Sequence, residues 1–290
     1  MLFVCSFDFS DDIGKLFKLG LIIFYMGKVI GVLSLKGGVG KTSSVIGLGA
    51  ALASYGKKVL LIDANFSAPN LGIHLDILEP KKTIHHILAD GEDVSEVIVE
   101  IEDLHVIPAS VFPHKMIDPL KLKDFVESIR ESYDFILIDS SPALNKETLA
   151  AMISSDELFV ISTPDYSTLS MTLKAIKVAK KQGSPITGLV LNKVYGKNFE
   201  LSLEDVEKTS EVPILAMIPH DVNVLKSQSQ FVPPVNFKPK SDVSIEFMKL
   251  AGCLVGERYD APFRVKDLFK GPEPRKQDIN RDLFYQSVFS

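Results

Sequence analysis

The chain has 290 residues, of which 46% are hydrophobic and 24% are charged, and its net charge is −5 at neutral pH. This composition is typical of a globular protein, and the negative net charge argues against a surface that binds nucleic acid through overall charge. Two cysteines, Cys5 and Cys253, form no CxxC pair, which fits a reducing compartment and excludes the usual zinc and iron–sulfur spacings. The longest apolar stretch, residues 19–26, is far shorter than the ~20 residues of a membrane-spanning helix.

The beginning of the chain differs from a signal peptide. Residues 1–25 place three aspartates ahead of an apolar run that has little positive charge before it. Met26 lies two residues before the first predicted strand. We therefore expect an N-terminal extension over residues 1–25, for which a misassigned start codon is one explanation, a domain over residues 26–256, and a C-terminal tail over residues 257–290.

Short apolar runs alternate with helix-like segments along the domain. The runs predict strands at residues 29–33, 59–62, 104–107, 135–138, 158–161, 186–191 and 214–218. The segments that suit helices are residues 43–55, 119–132, 143–153, 167–181, 202–209 and 241–255. Continuous apolar runs are typical of parallel strands buried on both faces. The predicted fold class is therefore α/β, with a doubly wound, mostly parallel sheet, helices on both faces, and ligands at the carboxyl ends of the strands.

A glycine-rich segment follows the first predicted strand. Residues 34–43 read Ser-Leu-Lys-Gly-Gly-Val-Gly-Lys-Thr-Ser and lead into a predicted helix. Its glycines allow close approach of the backbone to a ligand, and the N–H groups at a helix start form a nest for phosphate oxygens. In such a loop Lys41 would neutralise the β- and γ-phosphates, and the Thr42 hydroxyl would hold Mg²⁺. The segment predicts a site for a nucleoside triphosphate.

A second lysine, Lys36, stands at the start of this loop, whereas the general P-loop pattern would require glycine at Leu35. The spacing Lys-Gly-Gly-x-Gly-Lys-Thr resembles the MinD/ParA family of deviant Walker ATPases, which have a P-loop NTPase fold of the SIMIBI type. The resemblance implies ATP and Mg²⁺ as ligands, and a leading lysine that reaches the ATP of a partner subunit in a dimer. It implies nucleotide contacts for the whole loop: Lys36, Gly37, Gly38, Val39, Gly40, Lys41, Thr42 and Ser43.

Two aspartates each end a predicted strand. Asp63 begins the segment Asp-Ala-Asn, where MinD-type members commonly have Asp-x-Asp, and its carboxylate could reach the Mg²⁺ shell or orient water. We predict that Asp63, Lys36 and Lys41 act in catalysis, and that turnover is slow because Asn65 cannot accept a proton from water. A helix-capping role is the alternative for Asp63. Asp139 follows a Walker B-like run, and we expect it to hold Mg²⁺ through water opposite Thr42.

Two further strand ends resemble the adenine-side elements of the family. Asn192 lies in Leu-Val-Leu-Asn-Lys, and Pro219 and Asp221 lie in Ile-Pro-His-Asp. An asparagine amide can both donate to and accept from a purine edge, and proline fixes the backbone beside the ring. Ordinary turns at strand ends are the alternative.

The resemblance covers residues 26–256 and is nearest to archaeal MinD-like proteins. Bacterial members end in an amphipathic basic helix that docks on anionic lipid, whereas residues 257–290 carry seven Lys or Arg against six Asp or Glu. Short amphipathic stretches lie near residues 263–270 and 283–289, but their basic density is low for a membrane anchor. Packing of the tail on the domain, or on a partner protein, is the alternative.

The function that we predict from the sequence is a cytoplasmic ATPase switch, with membrane contact as an open alternative. Its ATP-bound form would be a homodimer that recruits a protein partner for spatial organisation, such as positioning of a division site or of cellular cargo. The alternatives are a chromosome- or plasmid-partition ATPase that binds DNA, an Mrp-type cluster carrier, and a metabolic enzyme that activates a carboxylate. The net charge disfavours the first, and the missing CxxC disfavours the second.

Overall fold

One sheet of eight strands forms the centre of the molecule, in a computed structural model that describes residues 27–262 and 275–289. The predicted extension over residues 1–25 and the amphipathic stretch near residues 263–270 lie outside the described residues. The strands are β1 (Lys28–Leu33), β2 (Val59–Ala64), β3 (Val99–Ile101), β4 (Leu104–Ile107), β5 (Phe135–Ser140), β6 (Glu157–Ser162), β7 (Ile186–Val194) and β8 (Ile214–Pro219).

The strand order is β3-β4-β2-β5-β1-β6-β7-β8, and all neighbouring pairs are parallel except β3 with β4. All seven predicted strands are present, so the α/β prediction is confirmed. The short edge strand β3 was missed, because its three residues are only partly buried and lack an apolar run. Strand β1 lies between β5 and β6, which places the loop after β1 at a topological switch point of the sheet.

Helices cover both faces of the sheet. They are α1 (Lys41–Ser54), α2 (Leu71–His74), α3 (Ile84–Asp90), α4 (Leu122–Ile129), α5 (Lys146–Ile153), α6 (Tyr166–Gln182), α7 (Leu203–Ser210), α8 (Val222–Ser229), α9 (Pro234–Phe237), α10 (Asp242–Val255) and α11 (Lys276–Phe289). The six predicted helices correspond to α1, α4, α5, α6, α7 and α10, and apart from α4 their predicted ends lie within three residues of the observed ones. The predicted segment 119–132 contains α4 between two 3₁₀ turns.

Side chains of one strand point alternately to two apolar layers, which explains the continuous apolar runs. In β2, Leu60 and Ile62 belong to the layer under α3 to α6, whereas Val59 and Leu61 belong to the layer under α1 and α10. Burial on both faces fixes the register of β2 against β5. This register brings Asp63 opposite Asp139 at the carboxyl ends of the two strands.

The described part of the tail is a helix that packs against the domain. In α11, Asn280 donates to the Ile214 carbonyl at 2.8 Å and Arg281 donates to the Leu215 carbonyl at 2.8 Å, both in the edge strand β8. Phe284 packs against the apolar layer of α1 and α10. Polar side chains of α11 thus occupy backbone acceptors of an edge strand, a position that would otherwise be open to pairing. Within residues 27–262 and 275–289, every helix is too short or too polar to cross a membrane.

Candidate functional site

The loop between β1 and α1 forms the floor of a cavity at the carboxyl ends of the strands. Gly38 and Gly40 have φ angles of 76° and 89°, in the left-handed region that only glycine adopts readily. A Cβ atom at Gly40 would also overlap the Asn192 side chain. Gly37 has neither constraint, so two of the three predicted glycines are required by the backbone. Gly40 is the N-terminal cap of α1, and the first residues of this helix, Lys41 to Ser44, line the cavity, where helix N–H groups suit a phosphate.

The cavity has a volume of about 530 Å³, which is within the usual range for a small-molecule site. Its lining combines the glycine-rich loop with side chains from the ends of four other strands. The residues that line it are Lys36, Gly37, Gly38, Val39, Gly40, Lys41, Thr42, Ser43, Ser44, Asn65, Asn70, His74, Pro142, Asn192, Lys193, Ile218, Pro219, His220, Asp221, Val224, Leu225, Gln228, Pro234, Val243 and Phe247.

Lys41, Thr42 and Asp139 meet at the end of the loop where α1 begins. Lys41 Nζ forms an ion pair with Asp139, and Thr42 Oγ1 donates to Asp139 Oδ2 at 2.7 Å. Both Lys41 and Asp139 are buried. The hydroxyl and the carboxylate supply the oxygen donors that Mg²⁺ prefers, and Lys41 supplies a cation for phosphate. These residues therefore fit MgATP, with Thr42 and Asp139 on the metal side.

Asp63 is fully buried and organises the loop that follows β2. Its Oδ1 accepts from the Asn65 N–H at 3.1 Å, and its Oδ2 accepts from the N–H groups of Asn70 and Leu71 at 3.0 Å each. Burial raises the pKa of Asp63, and the nearby charge of Asp139 acts in the same direction. Asp63 is absent from the cavity lining, whereas Asn65 is part of it. The described contacts are those of a loop anchor, and the catalytic role of Asp63 stays a prediction.

Lys36 lines the mouth of the cavity and is held by its own chain. Its Nζ donates to Thr168 Oγ1 at 2.7 Å and to Asp165 Oδ1 at 3.3 Å. Asp165 also caps α6 by accepting from the Thr168 N–H at 2.9 Å. The contact of Lys36 with a partner subunit stays a prediction, and it requires these hydrogen bonds to be exchanged.

Asn192 was predicted to contact adenine, but in the structure its side chain bonds to the protein backbone. Its Nδ2 donates to the Val39 carbonyl at 2.7 Å, and its Oδ1 accepts from the Lys193 N–H at 2.9 Å. Asn192 thus braces the glycine-rich loop, and a purine contact would compete with these bonds. Pro219 and Asp221 do line the cavity, although Asp221 also caps α8 by accepting from the Asn223 N–H at 2.8 Å. The base contacts stay predictions.

Among the cavity residues that were missed in the sequence, three make specific side-chain contacts. Lys193 donates to the Gly38 carbonyl at 2.7 Å and has a φ of 56°, a strained value for lysine. Gln228 Nε2 donates to Ser43 Oγ at 2.6 Å, and the His220 ring stacks on Tyr195 with 4.5 Å between centroids. Adjacency to predicted residues could have indicated Lys193 and His220. No local pattern indicates Gln228, because 185 residues separate it from Ser43.

Known proteins share both the sequence and this architecture. A family model described as an AAA domain matches residues 27–187. An uncharacterized ATP-binding protein of Methanocaldococcus jannaschii is 33% identical over 248 residues, which are 84% of this chain and 94% of the relative. The structure of the septum site-determining protein MinD of Pyrococcus horikoshii with Mg-ADP is 32% identical, with a TM-score of 0.75 over 79% of this chain and 96% of that one.

A third similarity is to a structure that contains a second protein. The MinC:MinD cell division protein complex of Aquifex aeolicus includes a chain that is 26% identical, with a TM-score of 0.72 over 82% of this chain and 98% of that one. The matches span nearly the whole length of these relatives, and the range of the family model contains the P-loop and both strand-end aspartates. This chain belongs to the MinD/ParA family of P-loop ATPases.

Proposed function

We propose that this ATPase is a molecular switch whose MgATP-bound form is a homodimer that recruits a protein partner, and that its hydrolysis of ATP is slow. The dimer is proposed to bury the cavity face, with Lys36 completing the nucleotide site of the second subunit. Loss of the γ-phosphate contacts near Asp63 and Asp139 would then release the monomers.

The observation that supports this proposal most directly is the distribution of exposed apolar side chains. Within residues 27–262, the large apolar side chains that are exposed all lie in segments that begin at the carboxyl end of a strand, and the cavity lies on the face formed by those strand ends. They are Ile73, Leu78, Val111, Phe112, Met116, Leu120, Leu144, Tyr166, Tyr195, Phe199, Val222, Leu225 and Phe231. Large exposed apolar surface commonly marks a protein interface, and a two-fold dimer would pair this face with itself.

Lys36→Ala tests the dimer. We expect this variant to bind ATP nearly as well as the unaltered protein, because Lys41, Thr42 and the N–H nest remain, but to stay monomeric with MgATP. Light scattering with MgATP and with MgADP measures the mass, and calorimetry measures the affinity. Lys177→Ala removes an exposed lysine of α6 outside the cavity and serves as the control. A Lys36→Ala dimer of undiminished stability would contradict the cross-subunit role.

The nature of the partner is proposed by analogy with relatives. The Aquifex aeolicus relative was solved as a MinC:MinD cell division protein complex, which supports a protein partner. A positioning process in the cytoplasm is part of our proposal. We expect the protein held in its ATP-bound state to capture a partner, and the ADP-bound protein not to capture it. Equal capture in both nucleotide states would contradict a switch.

DNA binding is a second candidate, because one observation favours it despite the net charge. Helix α6 has four lysines and no acidic residue, and Lys174, Lys177 and Lys181 are exposed along its outer side. Serine and tyrosine side chains share this helix, and such side chains often contact phosphates. Retention of the ATP form on DNA, with a steep loss as salt rises, would support this candidate over the recruitment of a protein. The variant Lys174→Ala/Lys177→Ala/Lys181→Ala should then lose retention.

A further inference from the structure

Helix α8 makes one polar contact with the first turn of α1. Gln228 and Ser43 both line the cavity, and Gln228 Nε2 donates to Ser43 Oγ at 2.6 Å. Val224 and Leu225 of the same helix also line the cavity, so this side of α8 forms part of its wall. Ser43 directly follows Thr42 of the glycine-rich segment. The contact therefore joins the segment after the edge strand β8 to the phosphate site that follows β1.

The Ser43 hydroxyl accepts a hydrogen bond and keeps its own hydrogen available. A hydroxyl has one O–H donor and two lone pairs, and Ser43 Oγ uses a lone pair for Gln228. Within the described residues, the Ser43 hydroxyl donates to no protein acceptor. The next serine differs, because Ser44 Oγ donates back to the Gly40 carbonyl at 2.8 Å, a common use of a serine hydroxyl in a helix. Ser43 thus keeps a free donor in the cavity lining.

Gln228 stands on a well-anchored end of α8. The residue before it, Ser227, is fully buried, and its carbonyl accepts from the N–H groups of Gln230 and Val232 at 3.1 and 3.0 Å. Ser227 Oγ also donates to the Val224 carbonyl at 2.8 Å. These bonds fix the backbone from which the Gln228 side chain extends. The donor at Nε2 is therefore positioned by the fold, as a group that supports a binding residue must be.

The pair of Gln228 and Ser43 suits a ligand that can only accept hydrogen bonds. A phosphate oxygen is such a ligand, so a serine that contacts it must donate its hydrogen, and the serine oxygen can then receive an amide N–H. We propose that Gln228 is a positioning residue: it donates to Ser43 Oγ, so that the Ser43 hydrogen is directed to a phosphate oxygen of the bound nucleotide. Without Gln228, the Ser43 hydroxyl is free to turn back to a backbone carbonyl, as Ser44 does.

The role of Gln228 goes beyond the proposed switch, and testing it requires neither a dimer nor hydrolysis. The start of a P-loop helix contacts the α- and β-phosphates, which ATP and ADP share. Gln228 should therefore contribute equally to the binding of both nucleotides. Failure of the dimer switch would change ATP-dependent assembly and leave MgADP binding by the monomer as it is. The two failures are thus distinguishable.

A double-mutant cycle tests the proposal by calorimetry with MgADP and with MgATP. Gln228→Met has a similar shape and loses the amide, and we expect both affinities to fall about fivefold. Ser43→Ala removes the hydroxyl itself, and we expect a loss of about tenfold. The double variant should also lose about tenfold, rather than the roughly fiftyfold of independent sites, because Gln228 then has no hydroxyl to position.

Gln230→Met is the matched control, since Gln230 is exposed at the end of α8 outside the cavity lining and should keep full affinity. Phosphate release by Gln228→Met should show KM for ATP raised about fivefold and kcat unchanged, because the contact holds the nucleotide before and during the reaction. Gln228→Asn keeps the amide without its reach and should resemble Gln228→Met.

Unchanged MgADP affinity in Gln228→Met would overturn the proposal. A fiftyfold loss in the double variant would overturn it too, because Gln228 would then act independently of Ser43. A loss confined to MgATP would contradict a contact with the phosphates that both nucleotides share.

Discussion

Two buried ion pairs lie in different regions of the molecule, at the P-loop and beneath the C-terminal helix. At the P-loop, Lys41 pairs with Asp139 beside the cavity, and the partners of Asp139 are groups that also suit phosphate and Mg²⁺. Beneath α11, Arg281 pairs with Glu246 at 3.0 Å while also donating to the Leu215 carbonyl, and Arg275 pairs with the same glutamate. The two buried ion pairs thus differ in their surroundings: one lies beside a cavity, and the other lies against a strand carbonyl.

This difference shows that the groups around a buried charge determine whether it binds a ligand or stabilises the fold. A buried ion pair gains little net stability over apolar packing, because both charges lose their hydration. Around Lys41, the open volume of the cavity leaves room for the pair to exchange partners with a ligand. Around Arg281, strand carbonyls and carboxylates already use its donors, and they fix α11 on the edge strand β8. We therefore expect ligand effects from the first pair and stability effects from the second.

Lys41→Ala should produce the largest effect. It removes the cation that faces the β- and γ-phosphates and leaves Asp139 buried without its partner. We expect ATP affinity to fall about 1000-fold or more, equivalent to roughly 4 kcal/mol. Isothermal titration calorimetry with MgATP is the measurement. An affinity close to that of the unaltered protein would refute the assignment of this loop as the phosphate site.

Arg281→Ala should lower the free energy of unfolding by about 3 kcal/mol, because Glu246 and the Leu215 carbonyl lose a buried donor. ATP affinity should stay unchanged, since α11 is outside the cavity lining. Urea denaturation and calorimetry measure the two quantities. Arg258→Ala is the matched control, because Arg258 pairs with Asp282 of the same helix at 3.3 Å in an exposed position and should change stability by less than about 1 kcal/mol. Weakened ATP binding in Arg281→Ala would break the separation of the two regions.

A smaller effect is expected from His85, a buried residue of α3. Burial lowers its pKa from 6.5 to about 4, and His114 and His86 add to the shift. Its Nδ1 accepts from the Ser110 N–H at 3.3 Å, a bond that needs the neutral ring. Because the folded-state pKa is the lower one, the unfolded chain binds more protons between pH 6.5 and 4, and stability falls as pH falls through this window.

From pH 6.5 to 5 the unaltered protein should therefore lose about 2 kcal/mol of unfolding free energy through His85. His85→Asn keeps an acceptor and cannot titrate, so its loss over the same interval should be smaller by that amount. Urea midpoints at both pH values are the measurement. The other ionisable side chains nearby are His86 and His114, with Asp90 paired to His114 at 2.6 Å. Equal losses in both proteins would assign the acid sensitivity to those groups.

Local patterns in the sequence determined most of the fold and the phosphate site. Continuous apolar runs predicted seven strands, because apolar and polar residues cannot alternate within a strand that is buried on both faces. The glycine-rich pattern predicted Gly38 and Gly40, whose backbone angles require glycine. The apolar run before Asp139 predicted this residue at the end of a strand. In each case the residues are neighbours in the chain, so their spacing in the sequence predicts how they are arranged in the structure.

The tertiary structure alone decided how side chains from distant segments are used. Asn192 reaches Val39 across 153 residues and becomes a brace of the P-loop, and Gln228 reaches Ser43 across 185. Helix α11 binds the edge of β8 through Asn280 and Arg281, although its composition left membrane docking open. Hydrogen-bond partners are set by the packing of whole elements, and a one-dimensional pattern contains no distances between them.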